Sequence, residues 1–345
     1  MTTRYLDLIT ELDLGSTDKV SQIVPLTGGV ASDIVRVELD GRVFCLKCAL
    51  EKLKVKEDWR APLHRNRAEY AWLEVAATVD PNAAVSLLGR SEKQSCFAME
   101  YVQGEHVYLW KAQLLKAKVS NKEAEAVGHT IGKIHKATSA PNFDQTNFKN
   151  HDDFYQLRLD PYLNFTATQH PEVSATLNRL VADLHKADQV LIHGDISPKN
   201  ILFRDGNPII LDAECATMGD ACFDLAFCLN HLILKAILLP AAQKEFLEAA
   251  RILWHSYRPH ICWENPMQLE QRICALLPAL MLARVDGKSP VEYFDATKAQ
   301  VVRAFSLMQL KNPVADQSLD HFLDSISDYL DPIQTHGDND HHGEN

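Results

Sequence analysis

The chain runs V-L-I-H-G-D-I-S-P-K-N from Val190 to Asn200 and I-I-L-D-A-E from Ile209 to Glu214. A short apolar strand delivers Asp195 into a polar loop, and Asn200 follows five residues later. A hairpin with Asp205-Gly206 near its turn comes next, and a second apolar strand ends on Asp212. This order suits a reaction with two needs. One carboxylate must orient and deprotonate a hydroxyl, and hard oxygen donors must hold a divalent cation. Transfer of a phosphoryl group to a hydroxyl has both needs, because the cation sits on the phosphates. Asp195 fits the first role, and Asn200 and Asp212 fit the second. Each residue alone means little; the order carries the reading.

These groups have to be positioned by two kinds of structure. Residues 22–50 alternate as strands do, with Val35, Val37 and Leu39 on one face and Arg36, Glu38 and Asp40 on the other. Asp40-Gly41 marks a tight hairpin. Residues 64–78 predict a helix, with Ala68, Trp72, Val75 and Ala76 at helical spacing. Val85–Leu88 and Cys96–Tyr101 predict two more strands. The sheet ends near Gln103-Gly104. Beyond it the chain reads as helical. Ser120 and Glu123 form a capping box ahead of Val127, Ile131 and Ile134, and residues 171–187 repeat the pattern. Residues 223–283 are apolar and helix-rich, broken by Pro240, Pro259 and Pro266. Residues 331–345 read as a disordered acidic and His-rich tail, its His341-His342 pair a weak candidate for metal.

The 345 residues suit two lobes, and 46% hydrophobic with 23% charged residues excludes a disordered chain. A net charge of −11 disfavours nucleic acid as a partner. No run of 18 uncharged apolar residues occurs, and the start has neither the cationic flank nor the apolar run of a leader; the expectation is no membrane partner and a cytoplasmic protein. Eight cysteines scattered in apolar stretches read as reduced, buried thiols. Cys45 and Cys48 have C-x-x-C spacing, but on a strand they face opposite ways.

The motifs H-G-D-I-S-P-K-N, L-D-A-E and G-D-A-C-F-D-L-A (219–226), with the helix I-G-K-I-H ending at His135, resemble the aminoglycoside phosphotransferase and choline kinase-like family, small-molecule relatives of protein kinases. The likeness covers about residues 22–310. D-A-E followed by F-D-L-A-F is locally similar to methylthioribose kinase, whose metal motif is Asp-x-Glu. The resemblance implies an α+β, bilobal protein-kinase-like fold. A nucleotide-binding lobe would span 1–102 and a helical catalytic and substrate-binding lobe 103–330, with ATP between them.

It also implies roles. Glu214 would help Asp212 and Asn200 with Mg2+. T-G-G-V-A-S-D, with Gly28, Gly29 and Ser32, would cover phosphates with backbone N–H groups; its plain alternative is a hairpin turn. Lys47 would pair the α- and β-phosphates, held by Glu69 or, alternatively, Glu74. Glu100, Tyr101 and Val102, at the lobe boundary, would contact the nucleotide. His193 and Asp224 would brace the catalytic loop. Ser197 or Lys199 would touch the transferred phosphoryl. Asp220 is either a helix cap or a substrate contact.

Residues for the acceptor follow from charge in unusual places. D-W-R-A-P-L-H-R-N (58–66) offers Trp59 and Arg60, and A-R-V-D-G-K-S-P (283–290) interrupts an apolar helix with Arg284 and Asp286. An Arg fork suits vicinal hydroxyls or a carboxylate. The plain alternative is a solvated loop in which Arg284 and Asp286 cap a helix and pair with each other. L-R-L-D-P-Y (157–162) is a weaker loop of the same kind. The expected activity is transfer of the ATP γ-phosphoryl to a hydroxyl of a small metabolite, first a sugar or polyol, second an aminoglycoside or amino alcohol; a homodimer is a compatible assembly. A pseudokinase would have lost Lys47, Asp195, Asn200 or Asp212. A protein kinase would need more than the 11 residues between Asp212 and Asp224 to seat a peptide.

Overall fold

The computed structural model describes residues 2–26, 32–52 and 62–337. Its first lobe is a five-stranded antiparallel sheet of β1 (Val20–Pro25), β2 (Ser32–Leu39), β3 (Arg42–Ala49), β4 (Leu87–Ser91) and β5 (Cys96–Glu100), in the order β1-β2-β3-β5-β4. Helix α1 (Thr2–Glu11) covers one face, burying Tyr5, Leu8 and Ile9 against Val35, Val37, Phe44 and Leu46. Cys45 and Phe97 face the other way, onto Trp72 and Leu73 of α2 (Arg65–Val79). The two-residue period of a strand therefore turns Lys47 toward α2, on the same face as Cys45. The sequence reading gave α1 no role, although Tyr5, Leu8 and Ile9 fall on one helical stripe.

Both Asp-Gly pairs form the tight turns expected of them. Asp40 and Gly41 have φ of 50° and 76°, and Asp205 and Gly206 of 52° and 81°. The fourth strand begins two residues later than expected. Ala83, Ala84 and Val85 are buried but lie outside the ladder, and a bulge between Leu87 and Gly89 shifts the register. Cys48 and Cys96 are partners in the β3–β5 register and are joined as a disulfide, with Cα atoms 4.1 Å apart. Closely opposed strand positions explain this departure from eight free thiols. Among the described residues the other six cysteines are free.

After Gly104 the chain enters the second lobe. Strand β6 (Val107–Leu109) pairs with β8 (Ile201–Arg204), which pairs with β9 (Asn207–Ile210). Strand β7 (Val190–Ile192) pairs with β10 (Thr217–Gly219). Around them pack α3 (Trp110–Leu114), α4 (Asn121–Thr138) and a helical run in which α5 (His151–Phe154) passes through a π-helical stretch, Tyr155–Asn164, into α6 (Phe165–Gln169). Pro161 lies inside that stretch and removes a helix hydrogen bond there. Then come α7 (Ser174–Lys186), α8 (Ala221–Leu238), α9 (Gln243–Tyr257), α10 (Pro266–Asp286), α11 (Ala296–Lys311) and α12 (Leu319–Gly337).

Helix α8 is the axle of this lobe. Its mean hydropathy of 1.7 would suit a membrane span, but it is 94% buried inside the protein, as an all-round apolar core helix must be. Ser120 caps α4 by accepting the Glu123 N–H at 3.4 Å, while the Glu123 carboxylate turns instead to the Tyr108 hydroxyl at 2.8 Å, so only half of the expected box forms. The tail boundary placed at 331 falls inside α12; residues 338–345, with His341 and His342, lie outside the described residues.

Candidate active site

Strand β7 feeds His193, Gly194 and Asp195 into a loop that is pinned from below. Asp224, in the first turn of α8, accepts the backbone N–H of His193 at 2.7 Å and that of Gly194 at 2.8 Å. His135 of α4 stands 3.3 Å from the same carboxylate, and its other ring nitrogen is 2.8 Å from the Tyr257 hydroxyl. Gly194 has φ of 77°, and a Cβ there would lie 2.8 Å from that of Cys215, so both conformation and space require glycine. His193 accepts the Asp195 N–H at Nδ1 (3.1 Å) and donates from Nε2 to the Leu211 carbonyl (3.1 Å). Burial pushes its pKa down, against the pull of Asp224, Asp195 and Asp212. With both nitrogens engaged and the ring neutral, His193 is a brace and has no lone pair left for an incoming proton.

The Asp195 carboxylate is itself gripped. Arg158 approaches it at 2.8 Å and Lys199 at 3.1 Å, and Arg158 also donates to the Gly194 carbonyl at 2.6 Å. Burial alone would raise the Asp195 pKa; Arg158 and then Lys199 outweigh it and hold the carboxyl below its ordinary value. Arg158 belongs to the loop that the sequence reading offered only as a weak acceptor contact. It lies in the π-helical stretch, 37 residues before Asp195 in the chain, and carries no local signal of that contact. Lys199 is half-exposed, whereas the Ser197 hydroxyl is fully buried with no hydrogen-bond partner among the described residues. The Asn200 side-chain N–H donates to the Asp195 carbonyl at 3.0 Å, which leaves its amide oxygen as a ligand atom.

Across the cleft, Lys47 is 2% exposed and lies 2.6 Å from Glu69 Oε1, 2.6 Å from Asp212 Oδ1 and 3.5 Å from Glu214 Oε1. Glu74, the alternative partner, is exposed on the outer side of α2. Burial works against the Lys47 charge, but Asp212, Glu69 and Glu214 together raise its pKa. Glu69 is pushed up by burial, opposed by Lys47 and supported by Asp212 and Glu214. Asp212 has φ of 72°, a strained value for a residue with a Cβ and one found where a site dictates backbone geometry. Burial opposes its charge too, yet Lys47 and Lys199 bring its pKa well below the carboxylate range.

Glu214 is bound by Arg65 Nε at 2.8 Å and by the Ser32 hydroxyl. Arg65 is fully buried and also donates to the Pro62 and Leu50 carbonyls at 2.8 and 2.7 Å. The sequence reading missed Arg65, because nothing near it in the chain announces a partner 149 residues away. Oxygens of Glu69, Asp212 and Glu214 all lie within 4.8 Å of one another. An all-oxygen set of this kind fits Mg2+. Asp212, whose side chain is 38% exposed, and Asn200, whose amide oxygen its own donor bond leaves available, would be the residues to hold it. Glu214, with both oxygens already bonded, fits a supporting position beside them.

The remaining candidates divide. Gly28, Gly29, Trp59 and Arg60 lie outside the described residues. The Glu100 carboxylate is taken by Arg204 and by the Ser86 N–H, so it ties the lobes together and leaves only backbone for a ligand. Tyr101 and Val102 follow it, half-buried. Asp220 resolves as a cap: it accepts the Cys222 N–H at 2.9 Å and is locked by Arg272 at 2.6 Å. Asp286 is a correction. Arg303 binds it at 2.7 and 2.6 Å and His170 at 2.8 Å, so its carboxylate is consumed in joining α10 to α11. Arg284 does not pair with it; it turns inward to the Tyr162 hydroxyl at 3.3 Å and to Ser289.

Comparison with known proteins agrees with this architecture. The solved ethanolamine kinase of Plasmodium vivax superposes with a TM-score of 0.55 at 11% identity, over 89% of this chain and 88% of its own. Amicoumacin kinase, solved with AMP-PNP and Ca2+, gives 0.54 at 13% identity, over 86% and 90%. The EKC/KEOPS complex subunit BUD32 of Yarrowia lipolytica is 24% identical over 182 residues, which is 51% of this chain and 60% of that protein, so the chain spans about three fifths of that relative. The pattern that describes the phosphotransferase enzyme family matches residues 22–260, more than half of the sequence, and the chain belongs to that family.

Proposed function

We propose that this small-molecule phosphotransferase uses Mg2+ and ATP and transfers the γ-phosphoryl to a hydroxyl of a sugar- or polyol-like metabolite. The observation that carries the reading is the convergence of Asp195, held ionised by Arg158 and Lys199, with Lys47, Asn200 and Asp212 across one cleft. The acceptor hydroxyl would hydrogen-bond to Asp195. As its oxygen bonds to the γ-phosphorus, the bond from phosphorus to the bridging oxygen breaks, ADP leaves, and the hydroxyl proton passes to Asp195. Lys199, beside Asp195 and half-exposed, supplies positive charge to the transferring group in preference to the enclosed Ser197. Lys47, fixed by Glu69, would bind the nucleotide phosphates. Mg2+ held by Asp212 and Asn200 would neutralise phosphate oxygens.

The sugar or polyol acceptor rests on the Asp-x-Glu sequence of Asp212 and Glu214. An ATP-consumption screen of purified protein against sugars, polyols, amino alcohols and aminoglycosides tests it. Acceptor-dependent ADP release that disappears in Asp195→Asn supports the reading. Failure to bind AMP-PNP in the presence of Mg2+ would overturn it.

A further inference from the structure

Helix α8 carries Asp224 under the catalytic loop, and His231 lies seven residues further along it, about 10 Å, with Lys235 one turn beyond. Lys235 is 1% exposed. Among the described residues its ammonium has one hydrogen-bond partner, the His231 carbonyl at 3.3 Å, and it rests over the Tyr293 ring at 5.6 Å. Arg284 of α10, 8% exposed, points into the same region. Its Nε is buried with no partner, as is the Tyr293 hydroxyl. The His231 ring packs on Phe227, which packs on Tyr162, the residue that Arg284 reaches. Lys199 and Lys111 add charge from the catalytic loop and from α3, and the carboxylate that acts on both Lys235 and Arg284, Glu292, is itself bound to Lys111 at 2.5 Å.

Three cationic or ionisable groups are thus buried together, with donor atoms unspent and, among the described residues, no carboxylate in an ion pair with any of them. A core has no use for this. Lys and Arg are almost never fully buried unless paired, and a buried donor left unmade is expensive. Elsewhere among the described residues buried cations have carboxylate partners, as Lys47 has Glu69 and Arg65 has Glu214. The mismatch also neighbours the catalytic loop, through Tyr162, which Arg284 reaches, and Lys199, which pairs with Asp195.

We infer that the acceptor is an anion: a polyhydroxy compound bearing a carboxylate, or an oxyanion of like size, that docks on Arg284, Lys235 and His231 while its hydroxyl meets Asp195. This rests on the phosphotransferase reading and narrows its acceptor class. Arg284 supplies a fork that suits a carboxylate, and Lys235 supplies a point charge. The same field repels the ammonium of an amino alcohol or aminoglycoside.

The test is calorimetric titration of the full chain, loaded with AMP-PNP and Mg2+, with D-glycerate, glycerol 3-phosphate, glycerol and ethanolamine. Binding of glycerate at least tenfold tighter than glycerol, weakened tenfold or more in Arg284→Gln and in Lys235→Met, is the expected result. Binding of glycerol 3-phosphate alone among the four, lost in the same variants, would keep the anion and identify it as a phosphate. Equal binding of glycerol, preference for ethanolamine, no binding of either anion, or anion binding unaffected in both variants would overturn the inference. Nucleotide loading in the same samples separates the two readings. Anion binding without AMP-PNP binding would defeat the phosphotransferase mechanism and leave the anion site standing. Two variants on different helices guard against one failing to fold.

Discussion

Lys47 Nζ stands 2.6 Å from Asp212 Oδ1, an ion pair that ties strand β3 of the first lobe to the segment after β9 of the second. The same ammonium neutralises Glu69, so its loss strands two carboxylates in a buried site. Lys47→Met is expected to lose Mg·AMP-PNP affinity and about 3–5 kcal/mol of stability. Its stability will fall as pH rises. Burial already pushes Glu69 up to about 8, and without Lys47 the folded state holds protons there that the unfolded chain releases above the ordinary Glu range. Thermal melts from pH 5 to 8 check the sign; a flat profile with wild-type Tm would refute it.

Asp195→Asn should remain folded and bind AMP-PNP, yet lose turnover by about a hundredfold or more, because an amide cannot accept the proton of the acceptor. Arg158→Gln is the informative companion. It removes the cation that most lowers the Asp195 pKa, so the acid limb of the kcat profile should move to higher pH. An unmoved limb in an active Arg158→Gln enzyme would separate Arg158 from the charge state of Asp195.

The metal assignment separates two neighbouring carboxylates. Asp212→Ala is expected to weaken AMP-PNP binding in Mg2+ far more than binding in chelator. Glu214→Gln should give the milder defect in metal response, with a loss of thermal stability from the weakened Arg65 contact. Mg2+ titrations at fixed nucleotide decide between them. If Asp212→Ala kept the wild-type Mg2+ dependence, its place as a ligand would be lost.

Much of the site was legible because its parts are local. Asp195, Asn200 and Asp212 lie within one loop and one hairpin, and their order proposes the chemistry, while the bracing role of His193 came with the family resemblance. Lys47 and its partner Glu69 came from the family resemblance, since a lone strand lysine by itself reads as solvent-facing. Arg65, Arg158 and Arg284 were missed or only half seen, because each acts on a partner far along the chain; Arg158 reaches Asp195 from within a π-helical stretch. Asp286 misled for the mirror-image reason: its partner Arg303 sits on another helix, so a loop charge looked free when it was spoken for. The sequence reading passed over His231 and Lys235, an i, i+4 pair inside an apolar helix, and only the folded structure shows them buried with no ion-paired carboxylate among the described residues. Helix α1 was passed over because the chain start was weighed as a leader and not as an amphipathic cover.

The anion site has its own pH signature. Burial, then Lys111 and Arg284, depress the Lys235 pKa to about 7, while Cys228 and Glu292 pull it up; His231, also pushed down by burial, stays neutral above it. Lys235 therefore gains its charge as pH falls through 7, and D-glycerate should bind more tightly at pH 6 than at pH 8, by at most about tenfold per pH unit for one linked proton. The slope should flatten in Lys235→Met. A pH-independent affinity in the wild type, or an unchanged slope in the variant, would remove Lys235 from the site.

The three groups that meet at Glu214 come from three different places in the first lobe: Ser32 opens β2, Lys47 lies in mid-β3, and Arg65 begins α2. Each is anchored to its own element, so the cleft cannot yawn by stretching one contact while the others hold. Parting the lobes would break these three contacts as well as the Lys47–Asp212 and Arg204–Glu100 pairs. One carboxylate of the second lobe thus gathers a strand end, a mid-strand ammonium and a helix start of the first, so a change at Glu214 reaches three elements at once.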